Sequence, residues 1–145
     1  MLLLRNRKAR FNYDIKKTFL AGIILKGYEV KSVLSGGVSF ADGYVRVESK
    51  EVWLINTSIS KYRYANIKEY NPERKRKLLL NKNEIRELFV AQEIKKMSII
   101  PLEFLIEKSK IKLKLGIGKG RKKYDKRKRI QERELKRQLK EEASI

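Results

Sequence analysis

The last 27 residues of the chain, 119–145, carry too much charge to build a hydrophobic core. They contain twelve Lys or Arg and five Asp or Glu residues, a net charge of +7 out of +20 for the whole chain. The aliphatic residues larger than alanine in this tail are Ile130, Leu135, Leu139 and Ile145. Burying so little apolar surface does not offset the entropy lost on folding. We therefore expect a tail that is disordered when free and ordered by a large polyanion, RNA first of all.

The composition of the whole chain sets further limits. Its 145 residues fit one domain over residues 1–118 and a tail over residues 119–145. A net charge of +20 indicates nucleic acid or, less well, an anionic membrane surface as the partner. Without Cys or His there are no disulfides, no thiolate metal ligands and no histidine base. No apolar stretch approaches the roughly 18 residues of a membrane-spanning helix, so we expect a soluble, cytoplasmic protein.

The spacing of apolar residues predicts a mainly β domain. Alternation or strand-forming composition predicts strands at residues 11–15, 19–25 (bent at Gly22), 44–48, 52–55, 99–107 and 110–117. In the last strand Lys110, Lys112 and Lys114 share one face, which indicates a buried face and a basic face. Pro101 favours an edge strand over residues 99–107, or a place among the first residues of a strand.

Two helices are expected to flank these strands. Residues 27–34 have helical spacing and end at Gly36-Gly37, and Asn81 with Glu84 resembles a capping box that starts a helix over residues 82–96. Residues 61–77 lack periodicity and are predicted to form a loop. Several antiparallel strands with flanking helices predict a small closed or nearly closed β-barrel, such as the oligonucleotide-binding type.

The basic run at residues 74–77 could bind nucleic acid. Cations beside a helix start favour phosphate, because the free N–H groups and the helix dipole attract anions. Leu79 could then stack on an unpaired base, and Asn81 could bond a base edge. A solvated loop, a leucine that anchors the helix and an asparagine that only caps it explain the same spacing equally well.

Two other groups of cations are candidates for phosphate contacts. The arm NRKAR at residues 6–10 precedes Tyr13, for which a place in the core is the better explanation. The lysines of residues 110–114 could follow a phosphate backbone or protect a sheet edge. The glycines of residues 116–120 lack a nucleotide-binding pattern, and we expect them to end the strand and form a hinge for the tail.

Several separated motifs occur in an order that strongly resembles one family over residues 6–135: NRKARFNY, FLAGIILKGYEVKS, DGYV, EVWL, RKRKLLLNK, IPL, KIKLKLGIGKG and KKYDKRKRIQERE. The family is that of the SsrA-binding proteins, SmpB. The resemblance implies an oligonucleotide-binding-type barrel with flanking helices that binds the tRNA-like domain of tmRNA. It also implies delivery of tmRNA to ribosomes stalled on mRNA without a stop codon, with the protein mimicking an anticodon stem. We expect the free protein to be a monomer.

The resemblance also implies which residues act. It places tmRNA contacts at Asn6, Arg7, Lys8, Arg10, Tyr13, Leu79 and Asn81, with Arg74, Lys75, Arg76 and Lys77 nearby. It places the decoding centre and mRNA channel of the small ribosomal subunit against Lys119, Lys122, Lys123, Tyr124, Asp125, Lys126 and Arg127. Within the bound tail, residues 131–142 are expected to be helical because they are rich in helix formers of mixed charge.

The chain departs from the family pattern at four positions. Leu20 stands where glutamate is frequent, Leu34 where arginine is usual, Tyr124 where histidine is common and Leu135 where tryptophan is frequent. Tyr124 can still stack on a base but does not titrate near neutral pH.

Other classes of function fit the sequence less well. A structural ribosomal protein with a basic extension is the main alternative to an adaptor. A membrane-surface protein would need a continuous apolar stripe, which the tail lacks. No residues combine into a nucleophile, a base and an orienting group, so we expect no enzymatic activity and no cofactor or metal.

Overall fold

The computed structural model of the chain describes residues 1–64, 69–121 and 123–143, with only the backbone for residues 123–126 and 141–143. The helices are α1 (Ala9–Asn12), α2 (Gly27–Leu34), α3 (Lys82–Glu93) and α4 (Lys123–Ala143). The strands are β1 (Leu2–Arg5), β2 (Tyr13–Ile23), β3 (Val38–Ser39), β4 (Tyr44–Glu48), β5 (Glu51–Ile55), β6 (Ser58–Ile59), β7 (Arg76–Leu79), β8 (Ser98–Glu107) and β9 (Lys110–Gly120).

The strands close into a barrel. In the described residues the main sheet has the order β1-β8-β4-β5-β7-β2-β9, and β9 pairs again with β8. That last pairing joins the ends of the sheet, so strands β8, β4, β5, β7, β2 and β9 form an antiparallel ring, with β1 paired to β8 beside it. The predicted mainly β fold, a small antiparallel barrel with flanking helices, is confirmed.

The inward side chains of the ring form one core. It contains Phe19, Ala21, Val45, Val47, Val52, Leu54, Leu78, Ile99, Phe104, Leu113, Leu115 and Ile117. Val33 of α2 and Leu88 and Ala91 of α3 join the same cluster, which attaches both helices to the barrel. A second, small cluster of Ala9, Ile100 and Leu102 lies under α1.

Two predicted strands prove to be one. β2 runs without a break through residues 13–23, and a register shift between Ile15 and Lys17 marks a bulge. Phe11 lies in α1 rather than in a strand, because the N–H of Asn12 bonds to the carbonyl of Lys8 at 2.9 Å and closes a helical turn. Alternation of apolar residues over so few positions does not distinguish these two conformations.

β8 is not an edge strand; Pro101 lies among its first residues, the other position that the sequence allowed. β8 pairs with β9 on one side and with β1 and β4 on the other. Pro101 is accommodated by a register shift between Pro101 and Glu103, where a bulge interrupts the ladder that its missing N–H would have joined.

The turns between paired strands use residues other than glycine. Ser49 and Lys50 join β4 to β5 with φ angles of 48° and 65°. Lys108 and Ser109 join β8 to β9 with φ angles of 51° and 63°. Positive φ at both central residues is the conformation that matches the twist of a two-residue hairpin.

The tail differs from its prediction. α4 begins at Lys123, although disorder was expected for the free tail and a helix only for residues 131–142 of the bound tail. The side chains of residues 127–140 are exposed. Helix formers and oppositely charged residues four apart, such as Glu132 and Lys136, favour a helix even without a core to pack on.

The glycines before the tail do not form the predicted hinge. β9 continues through them to Gly120, which pairs with Tyr13, so the strand passes the boundary predicted at residue 118. A Cβ on Gly118 would lie 2.8 Å from the carbonyl carbon of Asp14 and 3.0 Å from the Cα of Ile15. Gly118 therefore permits the backbone of β2 to approach β9 at the bulge.

We expect Gly118→Ala to destabilise the barrel by about 1–3 kcal/mol, because the main chain of β2 has to move away from the added methyl group. Gly120→Ala is the matched control, since its Cβ would meet only Tyr13 Cε1 at 4.0 Å. Urea unfolding of both variants measures the difference. Equal stabilities would contradict the close approach at Gly118.

Candidate nucleic-acid interface

The basic run at residues 74–77 leads into a strand rather than standing at a helix start. Along β7, Arg76 and Leu78 point into the barrel while Lys77 and Leu79 point outward. α3 starts only at Lys82. The four cations therefore do not form the predicted phosphate clamp beside the helix N-terminus.

Arg76 is fully buried on the carboxylate of Glu29. Its Nε and Nη2 donate to Glu29 Oε2 at 2.9 and 2.6 Å, and its Nη1 donates to the carbonyl of Thr57 at 2.7 Å. Arg74 Nη2 donates to the other carboxylate oxygen of Glu29. The prediction that Arg76 contacts RNA is wrong, because its guanidinium holds α2 against β7 inside the protein.

Burial opposes ionisation of Glu29, but its hydrogen bonds more than compensate for this. The N–H of Lys26 donates to Oε1 at 2.9 Å, and the guanidinium groups of Arg76 and Arg74 bind both carboxylate oxygens. Together they lower the pKa of Glu29 below its ordinary value of 4.5. The folded protein thus holds Glu29 as a carboxylate at neutral pH.

We expect Glu29→Gln to cost about 3 kcal/mol or more at neutral pH, because it leaves Arg76 buried without its counter-ion. A carboxyl group whose pKa is lowered on folding stabilises the protein above its unfolded pKa and ceases to do so as the pH falls through its folded pKa. The stability difference between wild type and variant should therefore shrink as the pH is lowered below 4.5. Denaturant unfolding at a series of pH values measures it, and a difference independent of pH would contradict the ionised pair.

The outward cations of the run bind surface carboxylates. Lys75 Nζ donates to Glu48 at 3.0 Å and lies 5.0 Å from the centre of the Trp53 ring, and Lys77 Nζ lies 3.3 Å from Glu51. Exposed pairs of this kind are weak. Contact of Arg74, Lys75 and Lys77 with RNA therefore stays a prediction.

Leu79 lies in a surface patch across three neighbouring strands. Gly22 of β2 pairs with Leu79 of β7 on one side and with Lys112 of β9 on the other. Leu20 lies two residues before Gly22 in β2, so it is on the same outer face, and it pairs with Lys114 of β9. The exposed fractions of Leu20 and Leu79 are 40% and 51%. We call these four side chains the leucine–lysine patch; Asn81 follows Leu79 by two residues, as the N-cap of α3.

Gly22 shapes this patch. A Cβ on it would lie 3.2 Å from the Cβ of Leu79, so a larger residue would displace the leucine. A cleft of about 410 Å³ opens beside Gly22, Leu79 and Lys112. Two exposed leucines between lysines offer apolar contact for a base and charge for its phosphate.

Asn81 both caps α3 and keeps a donor free. Its Oδ1 accepts from the N–H of Glu84 at 2.8 Å, and Glu84 Oε1 accepts from the N–H of Asn81 at 3.2 Å, so the predicted capping box is confirmed. Its Nδ2 donates to no other described residue. Capping and base recognition, which the sequence left as alternatives, are compatible in this geometry.

The arm of residues 6–10 lies away from the leucine–lysine patch. Asn6 Nδ2 donates to the carbonyl of Pro101 at 2.8 Å, whereas Arg7, Lys8 and Arg10 are exposed. Tyr13 packs partly buried on the cluster under α1, as expected. Asn6, Lys8, Tyr13 and Arg121 line a cleft of about 770 Å³.

The structure does not bring all predicted site residues together. Tyr13 begins β2 and Gly22 lies nine residues further along it, which is about 30 Å at the usual rise of a strand. The arm and the leucine–lysine patch are thus separate surfaces at opposite ends of one strand. Spacing in the sequence did not reveal Leu20 as a patch residue, because only the strand register places it beside Leu79.

The tail residues predicted to act at the decoding centre lie beyond the arm. Lys119 pairs with Asp14 in the sheet, and Arg127 is exposed on α4. The backbones of Lys123, Tyr124, Asp125 and Lys126 are helical, and Lys122 lies outside the described residues.

Of the departures from the family pattern, Leu20, Leu34 and Leu135 are all exposed.

Two kinds of feature are absent from the described residues. No helix there is long and apolar enough to cross a membrane. No three His, Cys, Asp or Glu residues in the same part of the chain are grouped so that they could hold a metal ion.

Comparison with known proteins shows the family of the chain. A family model described as SmpB protein matches residues 3–144. SsrA-binding proteins from Aquifex aeolicus and Allorhizobium ampelinum are 45% and 46% identical to the chain over 138 residues, which cover 94% of it and 88% and 87% of the relatives. A solved chain described under "tmRNA-SmpB: a journey to the center of the bacterial ribosome" matches with a TM-score of 0.70 and 40% identity, over 85% of this chain and 87% of that one. The chain belongs to the SmpB family of SsrA-binding proteins.

Proposed function

We propose that this protein binds the tRNA-like domain of tmRNA and delivers it to ribosomes stalled on mRNA that lacks a stop codon. In this role it mimics an anticodon stem during ribosome rescue and peptide tagging. The observation that carries the proposal is the leucine–lysine patch, which combines two exposed leucines and two lysines on the barrel wall, two residues before the N-cap Asn81 of α3. The solved relative described as tmRNA-SmpB at the bacterial ribosome supports the choice of RNA.

The patch offers RNA apolar contacts and a hydrogen-bond donor in addition to positive charge. Leu20 and Leu79 offer apolar contact to an unpaired base, and Asn81 Nδ2 can donate to a base edge or a phosphate. Lys112 and Lys114 lie on the neighbouring strand, within reach of the phosphate backbone. The two leucines and two lysines stand on paired strands, and Asn81 is held by its capping bond from the N–H of Glu84, so these groups are in place before RNA arrives.

The tail would provide the ribosomal contacts. Residues 119–145 carry a net charge of +7, which suits ribosomal RNA and the mRNA channel of the small subunit. We propose a non-enzymatic adaptor, monomeric when free, that works in the cytoplasm. A structural ribosomal protein would instead co-purify with ribosomal subunits in equal amounts, whereas an adaptor would be substoichiometric and enriched with tmRNA.

We expect Leu79→Ala to weaken binding of the tRNA-like domain of tmRNA about tenfold, since a leucine fully buried against a partner contributes about 1.5–3 kcal/mol. Phe89→Ala is the control, because Phe89 is 48% exposed on α3 while Leu79 is 51% exposed on β7. Gel shifts at one fixed salt concentration compare the two variants. Equal affinities would remove Leu79 from the interface.

We expect Asn81→Asp to weaken the same complex while leaving the fold intact. The carboxylate keeps the oxygen that caps α3, removes the Nδ2 donor and repels phosphate. Asn83→Asp adds the same charge two residues along α3 and is the control. Unchanged affinity of Asn81→Asp would show that Asn81 only caps the helix.

Truncation tests the division of labour between barrel and tail. A chain that ends at Arg121 keeps all of β9 and the bond from the N–H of Arg121 to the carbonyl of Asn12 at 2.8 Å. We expect it to bind tmRNA within about threefold of the full chain, because most of the phosphate contacts lie on the barrel, and to support no peptide tagging on ribosomes. Equal loss of both activities would contradict the division.

A further inference from the structure

A cluster of tyrosines lies on α2 and on the residues that follow β6. Tyr62 and Tyr64 contact each other edge to face, with 5.5 Å between their ring centres. Tyr28 of α2 contacts Tyr70 in the same way at 5.3 Å. These four rings lie outside the barrel core, and Tyr64 is 74% exposed. Aromatic rings on the surface of a strongly basic chain are typical of sites that stack unpaired bases.

Three cations of the same region each lie near a tyrosine ring. The distances from cation to ring centre are 5.9, 5.5 and 5.5 Å for the pairs Lys26–Tyr28, Lys31–Tyr62 and Arg63–Tyr64. We call these six residues the tyrosine–cation surface. An aromatic ring attracts a cation without cancelling its charge. The three positive charges therefore remain available to phosphate.

The surface differs in this respect from the basic run at residues 74–77. Lys75 and Lys77 of that run are paired with carboxylates of neighbouring strands. In the described part of the chain, none of the three cations on the tyrosines forms such a pair. The carboxylate of α2, that of Glu29, is buried on Arg76 and does not neutralise them.

Hydrogen bonds fix the tyrosine–cation surface to the folded domain. Ser32 Oγ of α2 donates to the carbonyl oxygen of Ser60 at 2.6 Å, and the N–H of Ser60 donates to the carbonyl oxygen of Gly37 at 2.8 Å. The hydroxyl of Tyr70 donates to the carbonyl oxygen of Ile59 at 2.5 Å. The rings thus stand beside α2 before a partner arrives, which lowers the entropy cost of binding one.

Only the width of α2 separates this surface from the leucine–lysine patch. The cleft beside Gly22 and Leu79 is also lined by Val30 of α2. Val30 and Lys31 are neighbours in that helix and lie about 100° apart around its axis, and a helix with its side chains is about 10 Å wide. An RNA that lies on the patch can therefore reach the tyrosines by crossing one helix.

We propose that the tyrosine–cation surface stacks unpaired bases of the RNA that the leucine–lysine patch binds, with Tyr64 as its outermost ring. This inference rests on the proposed function and extends the interface from the barrel wall across α2. Rings accept a base of any kind, and the cations beside them bind the adjoining phosphates. The surface fits a single-stranded loop better than a duplex, whose bases are already stacked on one another.

Substitutions at Tyr64 separate stacking from simple apolar contact. We expect Tyr64→Leu to weaken binding of the tRNA-like domain of tmRNA about tenfold, and Tyr64→Phe to bind within about twofold of the parent because it keeps the ring. Both variants should unfold at the same urea concentration as the parent, since the side chain is exposed. Equal affinity of Tyr64→Leu and parent in gel shifts would overturn the proposal.

Fluorescence reports the stacking itself. The chain has a single tryptophan, Trp53, so the full chain with Trp53→Phe and Tyr64→Trp carries one indole, on the surface. Both the tRNA-like domain and an oligouridylate of about ten nucleotides should quench its emission. Phe89→Trp in the same background is the control, because Phe89 is 48% exposed on α3, and its emission should not be lost. Absence of quenching at position 64 by either RNA would refute the stacking site.

The remaining outcomes distinguish this inference from the proposed function. A parent that does not bind the tRNA-like domain would contradict the proposed function, and quenching by oligouridylate would then still support a site for unpaired bases. A parent that binds the tRNA-like domain without quenching at position 64 would leave the proposed function standing and overturn the inference. Polyglutamate that produces the same effect at position 64 as oligouridylate would assign the surface to an acidic protein segment and overturn it as well.

Discussion

The double pairing of β9 is the constraint on which the rest of the structure depends. β9 bonds to β2 along one edge and to β8 along the other, and without it the sheet would be open. Its inward residues Leu113, Leu115 and Ile117 supply part of the core, while Lys112 and Lys114 face outward in the leucine–lysine patch. Its last residues lead directly into the tail, so one strand connects the core, the patch and the base of α4.

A chain with a net charge of +20 has to separate its cations into those that hold the fold and those that remain for a partner. Arg76 belongs to the first group, because its charge is matched by Glu29 inside the protein. Arg121 and Arg129 belong there too, since they bind carbonyl oxygens of α1. Lys112 belongs to the second group, together with the exposed Arg7 and Lys8 of the arm, while Lys114 lies 3.8 Å from Glu103 in a partly exposed pair that is weak. Adjacent residues of one basic run can therefore have opposite roles.

The sequence predicted local features well and long-range ones poorly. The capping box of Asn81, the helix over residues 27–34 and the alternation of β9 were predicted correctly because each depends on neighbouring residues. The hinge at the glycines and the phosphate contact of Arg76 were wrong because each depends on a distant strand or on Glu29. Of the two positions that Pro101 allowed for β8, only the pairings with β1 and β4 exclude the edge. The leucine–lysine patch needed the register between β7, β2 and β9, which no spacing within one segment can provide.

The central claim is that the leucine–lysine patch holds tmRNA. It is tested most directly by cross-linking in living cells. A photo-reactive amino acid replaces either Leu20 on the patch or Ile94, which lies at the end of α3 opposite to Asn81. Both positions are exposed. Sequencing of the cross-linked RNA should recover the tRNA-like domain of tmRNA from position 20 and not from position 94. Recovery of the same ribosomal RNA from both positions, without tmRNA, would contradict the account.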